Sequence, residues 1–181
     1  MEPRHFSSAV ACLLIPLGLA ACSPVFNWRE VPLGGDGVVA LLPCKADRAT
    51  RTLPLGGEQV TLEMAGCQAG DATFALARTS AADLAEARAR LAAWRAATRA
   101  QWDGATIEEE AASLPRALTT PAPVALRARD PSGLRGSPQG RMLWFVHAAR
   151  NGQLAVYQAT VLGEPSSADA SATFFEGIHL P

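Results

Sequence analysis

The chain opens with a segment too short to cross a bilayer and too apolar to sit on the surface of a soluble fold. Residues 9–19 are almost wholly apolar, follow a weakly positive start carrying Arg4, and end in the small residues Ala20 and Ala21. About eleven apolar residues fall well short of the ~20 that a helix needs to cross a ~30 Å hydrocarbon core. The run has the length of the hydrophobic part of a secretory signal, removed before the domain folds. Residues 1–21 are therefore set aside as a signal peptide. What folds starts near Cys22 and folds outside the cytoplasm.

Leu19-Ala20-Ala21-Cys22 resembles the lipobox of bacterial lipoproteins. The resemblance implies a diacylglycerol on the Cys22 sulfur, cleavage before Cys22, and acylation of the new amino end by a palmitate-type chain. Two or more acyl chains make a stable membrane tether, where one is marginal. The alternative is an ordinary secretory signal cut at the same place. Ser23 follows the cysteine where members held at the inner membrane often carry Asp. The resemblance thus implies the periplasmic face of the outer membrane.

The four cysteines reduce to two once Cys12 leaves with the signal and Cys22 is acylated. Outside the cytoplasm, the remaining Cys44 and Cys67 read as a disulfide. Closing that loop would stabilise the fold by roughly 3 kcal/mol in the chain-entropy model. Two small buried thiols that never meet are the alternative. No Cys-x-x-Cys or His-x-x-x-His spacing occurs, so neither zinc nor any other cofactor is expected. The net charge of -1 and a pI near 6.3 give no pull toward nucleic acid.

The order of elements reads as strands, a long helix, strands and a short helix. Residues 22–37, with Pro24, Pro32, Gly34, Gly35 and Gly37, read as a lipidated tether, and residues 38–181 as a single domain. Phe26 and Trp28 are unexpected in a spacer. They dock on the domain or sit at the membrane interface, and docking is the simpler reading. Residues 38–42 form a short apolar strand ended by Pro43. Gly56-Gly57 joins strands over 51–55 and 59–64, and 73–78 adds another. Ser80, with Asp83 three residues on, opens a helix running to Trp102. Its stripe of Leu84, Ala87, Leu91, Trp94, Thr98 and Trp102 faces the core. Strands follow over 106–110, 124–129, 142–148 and 154–162, the last two joined by Asn151-Gly152. Residues 167–175 form the closing helix. This is an α+β fold with a mostly antiparallel sheet packed by one long helix and a short C-terminal helix. Of the 49% hydrophobic residues, 36 in number are alanine, so the core is lean.

Two stretches carry a second resemblance. One is Val38-Val39-Ala40-Leu41-Leu42-Pro43-Cys44-Lys45, followed by the strand from Phe74 to Arg78. The other is Asn151-Gly152-Gln153-Leu154-Ala155-Val156-Tyr157, which leads to Thr173-Phe174-Phe175-Glu176-Gly177-Ile178. Together they resemble the PsbP-like fold, shared by photosystem accessory proteins and a Ran-binding import factor. Pro43-Cys44-Lys45 departs from the family, which commonly has Gly where Cys44 stands. The resemblance implies an α/β/α sandwich and an accessory, protein-binding role with no catalytic motif to carry over. Phe26-Asn27-Trp28-Arg29-Glu30-Val31 is also similar to the mature start of proteobacterial lipoproteins.

Chemistry-bearing residues are sparse. Gly136-Ser137-Pro138-Gln139-Gly140 has the wrong register for a nucleophile elbow and a proline where the turn must tighten. Only His147 and His179 remain as histidines after the signal. His147 lies in an apolar strand, which suits a core edge better than a general base. His179 is close to the C-terminus and reads as solvated. Consecutive Glu108, Glu109 and Glu110 alternate faces of a strand and read as a solvated edge. Arg127, Arg129, Arg135 and Arg141 cluster with Asp130 as the only acid among them. They read as a contact for an anion, such as lipid phosphate or an acidic partner, or as the outward face of a strand with its loops.

The reading that follows is a non-enzymatic, membrane-anchored envelope lipoprotein that supports a protein partner. The alternative is a small periplasmic hydrolase or ligand-binding protein with a site near His147 and the 113–140 loop. A weaker option is a lipid carrier, which would need an apolar cavity beneath the long helix.

Overall fold

Turn residues and alternation set the frame. The computed structural model describes residues 24–132, 138–149 and 151–181. The signal segment 1–21, Cys22 and Arg135 lie outside the described residues. In chain order the elements are β1 (Arg29–Leu33), β2 (Val38–Leu42), β3 (Asp47–Leu55), β4 (Glu58–Ala69), β5 (Ala72–Ala81) and α1 (Leu84–Ala100). These are followed by β6 (Thr106–Ala111), β7 (Val124–Arg129), β8 (Gln139–Ala148), β9 (Leu154–Gly163), α2 (Ala170–Glu176) and β10 (Ile178–His179).

The strands form a seven-stranded sheet of order β3-β4-β5-β9-β8-β7-β6 and a three-stranded sheet of order β1-β2-β10. Every pairing is antiparallel. The α+β class, the long helix and the short C-terminal helix are as the sequence indicates. Gly56 and Gly57 both take positive φ, the conformation a two-residue hairpin turn requires. The outermost strands of the large sheet carry charges that discourage further pairing: Asp47, Arg48 and Arg51 on β3, Glu108 and Glu110 on β6.

Two cores lie on opposite faces of the large sheet. On one, α1 packs Ala87, Leu91 and Trp94 against Val60, Leu62, Trp144, Val146 and Val156. On the other, the three-stranded sheet and α2 cover Phe74, Leu76, Phe145, Tyr157 and Val161. The second outer layer is thus α2 together with a small sheet. A Cys44–Cys67 disulfide, with Cα atoms 5.9 Å apart, ties the segment after β2 to β4 and so joins the two sheets.

Two expectations change. Part of the tether is structured: residues 29–33 form β1, which pairs with β2 and buries Val31 and Leu33. Proline suggested a spacer there, but β1 is an edge strand, where Pro32 costs no ladder hydrogen bond. Phe26 and Trp28 dock, stacking on each other and meeting Phe74 edge-on at 6.5 and 6.2 Å between centroids. The helix also begins later than Ser80. β5 pairs with β9 as far as Ala81↔Leu154, which draws Ser80 into the strand. The next capping residue is Asp83, whose carboxylate accepts from Glu86 N at 2.8 Å, while Glu86 accepts from Ala82 N.

Candidate functional site

The three-stranded sheet covers only part of its face of the large sheet. β1 and β2 lie over β4 and β5, and the ground over β7 and β8 is left as a groove of about 890 Å³. That volume falls within the ~300–1,000 Å³ usual for small-molecule sites. Its floor is made where Ala125 of β7 stands opposite Leu143 of β8, and Arg127 opposite Arg141. One wall is the C-terminal segment, with Phe175, Ile178 and Leu180, and the other is residues 112–116. Arg116 joins the walls: its guanidinium donates to the Leu180 carbonyl at 3.0 Å. Its own backbone takes φ +66°, a strained value for a residue with a side chain.

The arginines flagged by the sequence divide here. Arg127 and Arg141 line the groove, and Arg129 lies two residues along β7 from Arg127. Arg129 pairs with Glu108 at 2.9 Å, and Arg127 reaches Glu110 only at 3.7 Å. Arg141 makes no ion pair among the described residues. Burial, and then the charge of Arg127, hold its guanidinium below the ordinary arginine pKa. Glu110 and Glu176 also border the groove. The alternation expected of the glutamates is observed, since Glu109 turns to the other face and binds Arg95 and Arg99 of α1 at 2.8 and 2.9 Å.

The histidines are not brought together. His147 is 3% exposed, with Nδ1 3.3 Å from the Arg116 carbonyl and Nε2 without a hydrogen-bond partner among the described residues. His179 is exposed on β10 and borders the groove. Among the described residues there is no group of three or more His, Cys, Asp or Glu side chains that would hold a metal. No described helix is long and apolar enough to cross a membrane. A second cleft, of about 900 Å³, lies between the end of α1 and the sheet, with Trp94, Trp102 and Met64 on its walls. Its rim includes Asp130, Pro131 and Pro138, which flank residues outside the description.

A charged cluster that the sequence reading missed sits at the other end of the same face. Arg78 follows Phe74 and Leu76 on the buried side of β5, and its side chain is 12% exposed. A charge there needs partners. Asp36, 7% exposed, binds it at 3.2 Å and also accepts from the Tyr157 hydroxyl, and Glu63 adds a contact at 3.4 Å. Asp36 is held by Gly34 and Gly37, both at positive φ, and a Cβ on Gly34 would collide with the Arg78 guanidinium. Burial, then the hydrogen bond to Asp36 and its charge, push the Tyr157 phenol far above its ordinary pKa. The available signal was Arg78 itself, a cation at an inward position of an apolar strand. No family model and no curated protein matches the chain.

Proposed function

We propose that this chain is a non-enzymatic lipoprotein of the bacterial cell envelope, anchored through lipid on Cys22. It acts as an accessory binding module whose working surface is the groove over β7 and β8. The observation that carries the reading is that open, largely apolar groove, where Arg116 and Arg127 are engaged by the fold and Arg141 stands open to what comes from outside. His147, the residue a hydrolase would most need, is buried against a main-chain carbonyl rather than beside a serine or carboxylate. The lipobox resemblance supplies the anchor, and the PsbP-like resemblance favours an accessory role. The same features support placement at the periplasmic face of the outer membrane, with Phe26 and Trp28 drawn into the domain rather than into the lipid.

Metabolic labelling with palmitate tests the anchor. A label that survives denaturation and disappears in Cys22→Ser is the expected result, and an unlabelled wild-type chain removes the lipoprotein reading. Ala172→Trp tests the working surface, because Ala172 is an exposed residue on the groove wall. In-cell cross-links made by the wild type should be lost in this variant. Unchanged cross-links would place the working surface elsewhere.

A further inference from the structure

The charges and the backbone around the groove narrow what it can hold. Arg116, Arg127 and Arg141 face Glu110 and Glu176, which leaves one net positive charge among the arginines and glutamates of the lining. Arg127 and Arg116 have partners of their own, and Arg141 is the groove cation with none among the described residues. The rest of the lining, Ser113 apart, is apolar, led by Leu114, Leu143, Phe175, Ile178 and Leu180. The floor is formed by β7 and β8, each paired on both sides within the sheet. It offers side chains but no free backbone N–H or C=O. A peptide laid there would find no main-chain partners in that floor for its own N–H and C=O groups. An acyl chain has no such groups.

We propose that the groove binds a long-chain fatty acid, its carboxylate on Arg141 and its acyl chain along the apolar wall formed by Phe175, Ile178 and Leu180. A single carboxylate matches the single unbalanced charge, and a guanidinium binds it with charge-assisted hydrogen bonds. Apolar burial supplies the remainder of the affinity. The proposal rests on the groove being the working surface and does not depend on lipid at Cys22.

Calorimetric titration of sodium oleate into the full chain carrying Cys22→Ser tests it, with oleyl alcohol and oleoyl lysophosphatidate as parallel titrants. Oleate should bind one per chain. Oleyl alcohol should bind roughly tenfold more weakly or worse, because it lacks the charge. Arg141→Gln should weaken oleate by a similar factor. Glu110→Gln should strengthen it by releasing Arg127. Ala172→Trp should block binding sterically, which covers the case of an Arg141 variant that fails to fold. Three outcomes overturn the proposal: no oleate binding, binding unaltered by both Arg141→Gln and Ala172→Trp, or tighter binding of lysophosphatidate than of oleate. Any of them would leave the groove itself as working surface, which falls only if Ala172→Trp spares the cross-links.

Discussion

Arg78 on β5 and Arg141 on β8 stand on the same face of the same sheet, separated by β9. Their surroundings differ in almost every other respect. Arg78 is nearly enclosed and is met by Asp36 and Glu63, with Tyr157 completing the cluster through Asp36. Burial alone would lower its pKa, but the phenol, Asp36 and Glu63 outweigh that and raise it. Arg141 is far more exposed, yet partial burial of its guanidinium, and then the charge of another arginine, Arg127, lower its pKa. The first cation is consumed by the fold. The second is held where nothing in the described chain uses it. A charge that the fold has satisfied reports on stability, and one it has left open reports on what comes from outside.

The largest effect should come from breaking the satisfied cluster. Asp36→Ala would leave Arg78 with the half-exposed Glu63 and the Ser80 hydroxyl at 3.5 Å, and would strip the Tyr157 hydroxyl of its acceptor. Removing one partner of a buried pair costs about 3–5 kcal/mol. Against a total stability of roughly 5–15 kcal/mol, this is a severe loss, read as a shifted urea midpoint. A change below about 1 kcal/mol would mean that the cluster behaves as a surface ion pair, and the contrast with Arg141 would lose its basis.

How much of this was visible in the sequence follows from how far apart the interacting residues are. β7 and β9 were legible from local alternation and turn dipeptides, and so was the Cys44–Cys67 bridge from compartment and number. The Gly-Asp-Gly turn at residues 35–37 looked like linker because its partner, Arg78, lies on a different strand. β1 and β10 were hidden for the same reason. Each is short and becomes a strand only by pairing with β2. The groove was half legible. Its floor cations, Arg127 and Arg141, appear as a cluster, but its walls come from residues 112–116 and from the C-terminal segment, which no local pattern links. Ser80 shows the opposite failure, a sound capping signal overridden by strand pairing.

A smaller effect should come from the phenol in the Arg78 cluster. Tyr157 is the chain's only tyrosine, so tyrosinate absorbance reports this one residue. Its pKa in the fold is raised, by burial first and then by the hydrogen bond to Asp36 and its charge. In the unfolded chain it ionises near the ordinary value of about 10. Tyr157 therefore contributes full stability below pH ~10 and loses it progressively at higher pH, where the unfolded state releases its proton first. Tyrosinate should appear only as the fold opens. Tyr157→Phe should lose about 1.5–3 kcal/mol at neutral pH and flatten the alkaline decline. A reversible titration near pH 10 with the fold intact would show the hydroxyl free of Asp36.

The smallest effect is expected at Arg141, and its smallness carries the argument. Arg141→Gln removes no ion pair, and it relieves the repulsion from Arg127 directly across the strands. The stability change should stay within about 0.5 kcal/mol and lean toward stabilisation in low salt. Raising ionic strength to ~0.1 M shortens the screening length to about 10 Å and should shrink that gain. Arg129→Gln is the matched control, because it removes a cation of the same strand face that does have a partner, Glu108. It should lose a few tenths of a kcal/mol where Arg141→Gln loses nothing. Thermal midpoints of the two variants at low and moderate salt decide the matter. If Arg141→Gln proves the more damaging, its guanidinium is holding the fold after all, and an open cation at the groove is no longer available to recruit a ligand.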